Sequence, residues 1–219
     1  DPEWQKRYER QGDPDLQAMH HDLYRAVGRG RWWIMEQQPG PVNWAPNNPA
    51  PLPGMVEFWT WEAIAHQAEA VCYFRWRQAP FAQEQMHAGL MRPDDQPATA
   101  YQEVSDASTR ITETGPLEFD QADVALVFDY ESCWAWEVQP QGDNFDGFSL
   151  ALEFYRALRR LGVNIDVVSP NADLDGYKLV LAPGLFSWND RLLAAINNNK
   201  SRFVLGPRSG SKTADFQIP

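Results

Sequence analysis

The segment Arg31-Trp32-Trp33-Ile34-Met35-Glu36-Gln37-Gln38-Pro39-Gly40-Pro41-Val42-Asn43-Trp44 opens on a bulky apolar run and closes on proline and glycine. Trp32 to Met35 has the composition of a short buried strand, and Glu36 stands at its C-terminal end. Between Pro39 and Gly54 six prolines follow, at positions 39, 41, 46, 49, 51 and 53. They exclude a helix or a central strand and make a long, stiff loop. A carboxylate at the end of a strand, followed by such a loop, is where a parallel α/β barrel places its catalytic groups. Taken alone, a glutamate after a strand is more often an ordinary surface residue.

Working outward from this segment, Asp13 and Pro14 form a helix start, and Leu16, Met19, Leu23 and Val27 recur on one face. The spacing predicts a helix over 14–27, ended by Gly28 and Gly30. Downstream, Phe58, Trp61, Ile64, Ala65 and Ala68 predict a helix, and 70–76 a strand rich in β-branched and aromatic residues. A loop over 78–96 leads to a helix opened by Pro97, with Tyr101, Val104, Ala107 or Ser108, and Ile111 on one face. This alternation predicts part of a (β/α)8 TIM barrel, its last strands and helices.

Near Gly115 and Pro116 the pattern restarts. Strands are expected over 123–128, 164–168, 177–182 and 202–205, with helices over 149–161 and near 190–198. The connection from Val168 to Lys178 is too short for a crossover helix, so those two strands should flank the first in a flavodoxin-like order. The chain is thus expected to be α/β throughout, with one domain over 1–118 and a second over 119–219.

The formal net charge of -11 and a pI near 4.8 oppose nucleic acid as a partner, since phosphate binding needs clustered Lys and Arg. No apolar run approaches the ~18 residues of a membrane span. Cys72 and Cys133 lie far apart, without a Cys or His at metal-ligand spacing, so neither a disulfide framework nor a structural zinc is expected. Ten Trp, eleven Phe and seven Tyr are suited both to large cores and to stacking on sugar rings. The chain opens on Asp1 without a signal-like stretch, and its ends suggest a piece of something longer. A cytoplasmic setting is the expectation, with targeting unreadable from these ends.

Met35-Glu36-Gln37-Gln38-Pro39-Gly40-Pro41-Val42-Asn43-Trp44 closely resembles the nucleophile segment of glycoside hydrolase family 42, the bacterial β-galactosidases. The resemblance extends through Trp61-Glu62-Ala63 and Tyr73-Phe74-Arg75-Trp76-Arg77 to Phe81-Ala82-Gln83-Glu84-Gln85-Met86-His87-Ala88-Gly89-Leu90, and more weakly to that family's trimerisation domain. It implies a retaining hydrolase of terminal β-D-galactosides, without a cofactor or metal, in which one carboxylate attacks the anomeric carbon and a second protonates the leaving oxygen. By this resemblance Glu36 is the catalytic nucleophile, Trp44 and Phe74 are aromatic walls of the galactose pocket, and Glu84 and His87 hold sugar hydroxyls. The acid/base glutamate of the family follows an Asn at the fourth barrel strand, and no segment here matches it. The parent protein is implied to be a homotrimer.

Other readings of the same residues stand beside these. Glu84 and His87, three apart, would share a face on a helical turn, and could equally be solvated residues or half of a metal site. Phe74 is as readily a core residue. His20, His21 and His66 have no partner at a recognisable spacing. Gly206-Pro207-Arg208-Ser209-Gly210 follows a strand without being Gly-x-Ser-x-Gly, and reads as a turn. The second domain resembles a glutamine amidotransferase fold lacking its nucleophilic cysteine, since Cys133 follows the first strand instead. Two further functions stay open: a noncatalytic assembly module with half a sugar pocket, inactive by itself, and a barrel lectin that binds without hydrolysis.

Overall fold

The computed structural model describes residues 2–198 and 200–219. Its chain divides into two compact units, one of residues 1–21 with 28–119 and one of 22–27 with 120–219. The expected division fell at 118/119. The structure sets it one residue later and adds 22–27, the end of the second helix, to the second unit.

The first unit begins with helices α1 (Pro2–Tyr8) and α2 (Pro14–Val27). Asp13 caps α2 as its sequence suggests, its Oδ1 accepting from the N–H groups of Asp15 and Leu16 at 3.0 and 3.2 Å. Strand β1 (Trp33–Gln37), helix α3 (Met55–Ala65), strand β2 (Ala70–Tyr73) and helix α4 (Thr99–Thr114) follow. The strands are parallel, Trp33 opposite Ala70 and Ile34 opposite Val71, with a register shift before Gln37 meets Tyr73. Trp32, Ala63 and Ala68 form one small core with Ile34 and Val71, and Val56, Leu90 and Ala100 form another with Trp59, Tyr73, Tyr101 and Val104. This is strand, helix, strand, helix with parallel pairing, the expected β/α repeat.

Several boundaries differ from the sequence reading. Helix α3 stops at Ala65 because Gln67 takes a positive φ of 71°, so Ala68 reaches the core from a turn. Strand β2 ends at Tyr73. Phe74 still donates its N–H to the Gln37 carbonyl at 3.0 Å, but the peptide that follows it is cis and the chain leaves the ladder. Helix α4 starts at Thr99, since Ala98 is extended, so Pro97 precedes the helix.

The second unit has a four-stranded parallel sheet of β3 (Val124–Val127), β4 (Ile165–Val168), β5 (Leu179–Ala182) and β6 (Arg202–Leu205). Their order, β4-β3-β5-β6, is the flavodoxin-like order argued from the short 168–178 connection. Strand β3 is buried at every residue, as a central strand covered on both faces must be. Helices α5 (Tyr130–Val138), α6 (Gly147–Arg160) and α7 (Asp190–Asn197) are each opened by a side-chain cap from Asp129, Asp146 and Asn189. Helix α6 buries Gly147, Ala151, Leu152, Tyr155 and Leu158, the stripe of an amphipathic helix. Within this unit Tyr155 donates to the buried Asp22 at 2.5 Å, and Arg25 bridges Asp22 and Asp166 at 3.1 and 3.0 Å.

Candidate active site

Glu36 is the penultimate residue of β1, and its side chain is exposed. The strand carries it to the C-terminal edge of the parallel pair, and the chain then turns into the proline-rich loop. Two residues on, Gln38 reaches back, donating from Nε2 to Glu36 Oε1 at 2.7 Å. The amide oxygen of Gln38 lies 2.5 Å from His87 Nε2. An amide oxygen only accepts, so the imidazole carries its proton on Nε2. His87 is 3% exposed, and burial first, then the Arg75 charge, pushes its pKa below the ordinary value, while Glu36 acts in the opposite sense. The ring is therefore neutral near pH 7.

Phe74 packs edge-on against His87, ring centroids 5.1 Å apart at 76°. The Arg75 guanidinium lies over the Phe74 ring at 4.6 Å and pairs with the Glu84 carboxylate. Glu84 and His87 do close a turn, the His87 N–H donating to the Glu84 carbonyl at 3.0 Å. Their side chains part from there, Glu84 to Arg75 and His87 to Gln38. Trp44 is 73% exposed on the proline-rich loop.

Glu36, Phe74, Glu84 and His87 are thus joined through a network in which Gln38 and Arg75 are the connecting residues. Neither connector was singled out from the sequence. Gln38 lies two residues from Glu36 in the quoted segment, a spacing that keeps side chains on one face of an extended chain, and that was the available signal. Arg75 carried only the alternation Phe74-Arg75-Trp76-Arg77, which does not say which parity faces the site.

Two loops are stitched together around this cluster. Asn43 Nδ2 donates to the Gln83 carbonyl at 2.5 Å, and the Ala88 N–H donates to the Pro41 carbonyl at 2.9 Å. Gly40 allows the approach: a Cβ there would stand 2.7 Å from Ala88 Cβ. Gly89 is tighter still, since a Cβ there would meet the Gln78 backbone nitrogen at 2.5 Å. The segment that carries His87 is therefore fixed on both sides.

Polar groups outside this cluster have structural roles. Glu69 precedes β2 and is bound by Arg31 at 2.7 Å and by Trp33 Nε1 at 3.0 Å, which hold its carboxyl at about 2. It is at the opposite end of the strand pair from Glu36. His21 packs with tilted rings against Trp32 and His66, centroids 4.9 and 5.6 Å away. Ser209 donates to the Ala182 carbonyl at 2.9 Å within a turn. Among the described residues, no group of three His, Cys, Asp or Glu side chains could hold a metal ion. None of the described helices is long and apolar enough to cross a membrane. A cavity of about 560 Å³ lies in the second unit at the ends of β3 and β4, where Asp129 and Asn189 serve as helix caps.

Comparison with known proteins bears directly on the first unit. Residues 2–114 match the family model described as beta-galactosidase, and residues 122–219 match that of the beta-galactosidase trimerisation domain. The chain is 57% identical to the beta-galactosidase BgaA of a Thermus species over 218 residues, covering 100% of this chain and 34% of that protein. A beta-galactosidase of Thermus thermophilus is 56% identical with the same coverage. The chain thus spans about a third of the length of these relatives. Among solved structures, the beta-galactosidase of the psychrophilic Marinomonas ef1 superposes with a TM-score of 0.89 at 49% identity, over 97% of this chain and 34% of that one. That of the Antarctic haloarchaeon Halorubrum lacusprofundi gives 0.90 at 41% identity, over 96% and 32%. The first unit is accordingly part of a TIM barrel, the second, with its flavodoxin-like sheet, matches the family's trimerisation domain, and the chain belongs to glycoside hydrolase family 42.

Proposed function

We propose that this chain supplies the nucleophile side of a retaining β-galactosidase active site, with Glu36 as the attacking carboxylate. The observation that carries the reading is Glu36 itself, exposed at the C-terminal end of β1 with one carboxylate oxygen held by Gln38. Attack forms a bond from a Glu36 oxygen to the anomeric carbon while the aglycone oxygen leaves with the bonding pair. Water then releases the sugar with retained configuration. Phe74, Glu84, His87 and Trp44 are the proposed sugar contacts. The acid that protonates the leaving oxygen belongs, in this reading, to the part of the family's length that this chain does not span. General acid help is worth about 10² to 10⁴ in rate, so the chain by itself is expected to be inactive or nearly so. Galactosides are the substrate, and the longer protein assembles as a homotrimer through its second unit.

The test is to incubate the longer protein with a 2-deoxy-2-fluoro-β-galactoside and map the modified peptide by mass spectrometry. A sugar adduct on Glu36, abolished in Glu36→Gln, is the expected result. An adduct on another carboxylate, in a protein that hydrolyses β-galactosides, would remove Glu36 from this role.

A second reading, a noncatalytic assembly or sugar-binding piece, draws on the engagement of nearby carboxylates elsewhere, Glu84 with Arg75 and Glu69 with Arg31. It predicts sugar binding that survives Glu36→Gln, with no turnover by the longer protein.

A further inference from the structure

Glu36 is exposed and has three rotatable side-chain bonds, so without a restraint its carboxylate would sample several positions. Gln38 Nε2 holds Oε1 at 2.7 Å and leaves Oε2 as the oxygen free to attack. The Gln38 amide could in principle face the carboxylate with either end. Glu36 removes the choice: a carboxylate only accepts, so the amide nitrogen must face it, and the amide oxygen left on the other side takes the Nε2–H of His87 at 2.5 Å. The reversed amide would oppose its oxygen to the carboxylate. His87 is in turn fixed by burial, by the Phe74 ring edge and by the turn from Glu84. The groups facing it are Gln38, Phe74, the Arg75 charge and, more distantly, Glu36. A buried imidazole thus anchors one end of an amide whose other end holds a carboxylate.

We infer that Gln38 is a positioning residue for the nucleophile, anchored at its far end by His87. This rests on the reading of Glu36 given above. A charge-assisted hydrogen bond that fixes the attacking group acts on the rate of attack more than on sugar affinity, because it contributes where charge and geometry change in the transition state.

The test uses the longer protein and 2,4-dinitrophenyl 2-deoxy-2-fluoro-β-galactoside. This probe loses dinitrophenolate with the bonding pair and needs no proton, so the inactivation rate reports attack by Glu36 alone. Gln38→Met keeps the volume and removes both hydrogen bonds; Gln38→Glu keeps an acceptor for His87 and loses the donor to Glu36. With an adduct on Glu36 in the wild type, the maximal inactivation rate is expected to fall about 10- to 100-fold in both variants, with Ki for the probe within about threefold. A native thermal melt in either variant suffices to read the result. Inactivation at the wild-type rate in a folded variant overturns the role of Gln38 and leaves Glu36 standing. A parallel rise in Ki also overturns it, since that pattern belongs to a sugar contact or a general packing role. An adduct away from Glu36 in the wild type overturns both readings together.

Discussion

Cys133 lies on α5 against Gly147, where an added Cβ would stand 3.0 Å from its sulfur. Burial, followed by the charges of Asp129, Asp146 and Glu137, pushes its thiol up to about 11. The thiolate is the reactive form, so a raised pKa leaves little of it at neutral pH. Alkylation of Cys133 by iodoacetamide at pH 8 is expected to run about 10²-fold slower than that of a free cysteine, read by mass spectrometry of its peptide. Rapid labelling in the native protein would contradict this environment. The same reasoning separates Cys133 from an amidotransferase nucleophile, which has to be ionised to act. At this scale the place of Glu36 at a strand end was legible, because the apolar run stops there and a six-proline loop follows. Gln38 was not, because an amide has no signature of its own. Its role exists only through contact with His87, 49 positions away.

Helix α3 begins at Gly54, which has no side chain to cap it, and its first turn is satisfied from another helix. Glu103 of α4 accepts the N–H groups of Gly54, Val56 and Glu57 at 2.9, 3.0 and 3.3 Å. One carboxylate therefore closes a helix start, meets the positive end of the helix dipole and anchors the exit of the proline-rich loop. Glu103→Ala is expected to destabilise the first unit by about 1–2 kcal/mol, visible as a lowered midpoint in thermal or urea unfolding. An unchanged midpoint would mean that water replaces the carboxylate without loss. Helices α2 and α6 and the four strands of the second unit were legible because their apolar residues keep one period. Helix α5 was missed because Tyr-Glu-Ser-Cys-Trp-Ala-Trp-Glu-Val distributes its apolar residues around the axis and shows no stripe. Its Asp129 cap, three residues before Ser132, was the signal to read. Helix α1, with Pro2 at its first position and Lys6 and Arg7 in its last turn, had start and stop signals that seven residues of sequence make easy to pass over.

For the whole molecule, the restart of the pattern near Gly115 pointed to two α/β units, and the 168–178 connection to the strand order of the second. What the sequence left open is the assignment of 22–27, because helical periodicity runs through Asp22 without a break while the burial partners of the helix end are Tyr155 and Asp166. Those contacts join residues more than a hundred positions apart and leave no local trace. The homotrimer proposed above is tested by sedimentation of the longer protein, with three times the single-chain mass expected. A monomer at micromolar concentration would remove assembly from the role of the second unit.

The tryptophans have an optical consequence. Trp32 and Trp136 are buried, whereas Trp33, Trp44 and Trp76 stand in solvent at 54%, 73% and 64% exposure. The protein therefore carries two classes of fluorophore, one shielded from a soluble quencher such as acrylamide and one open to it. Because Trp44 sits on the loop beside the proposed sugar pocket, the quenchable fraction of the emission is an intrinsic gauge of how far that loop is covered, readable without any label.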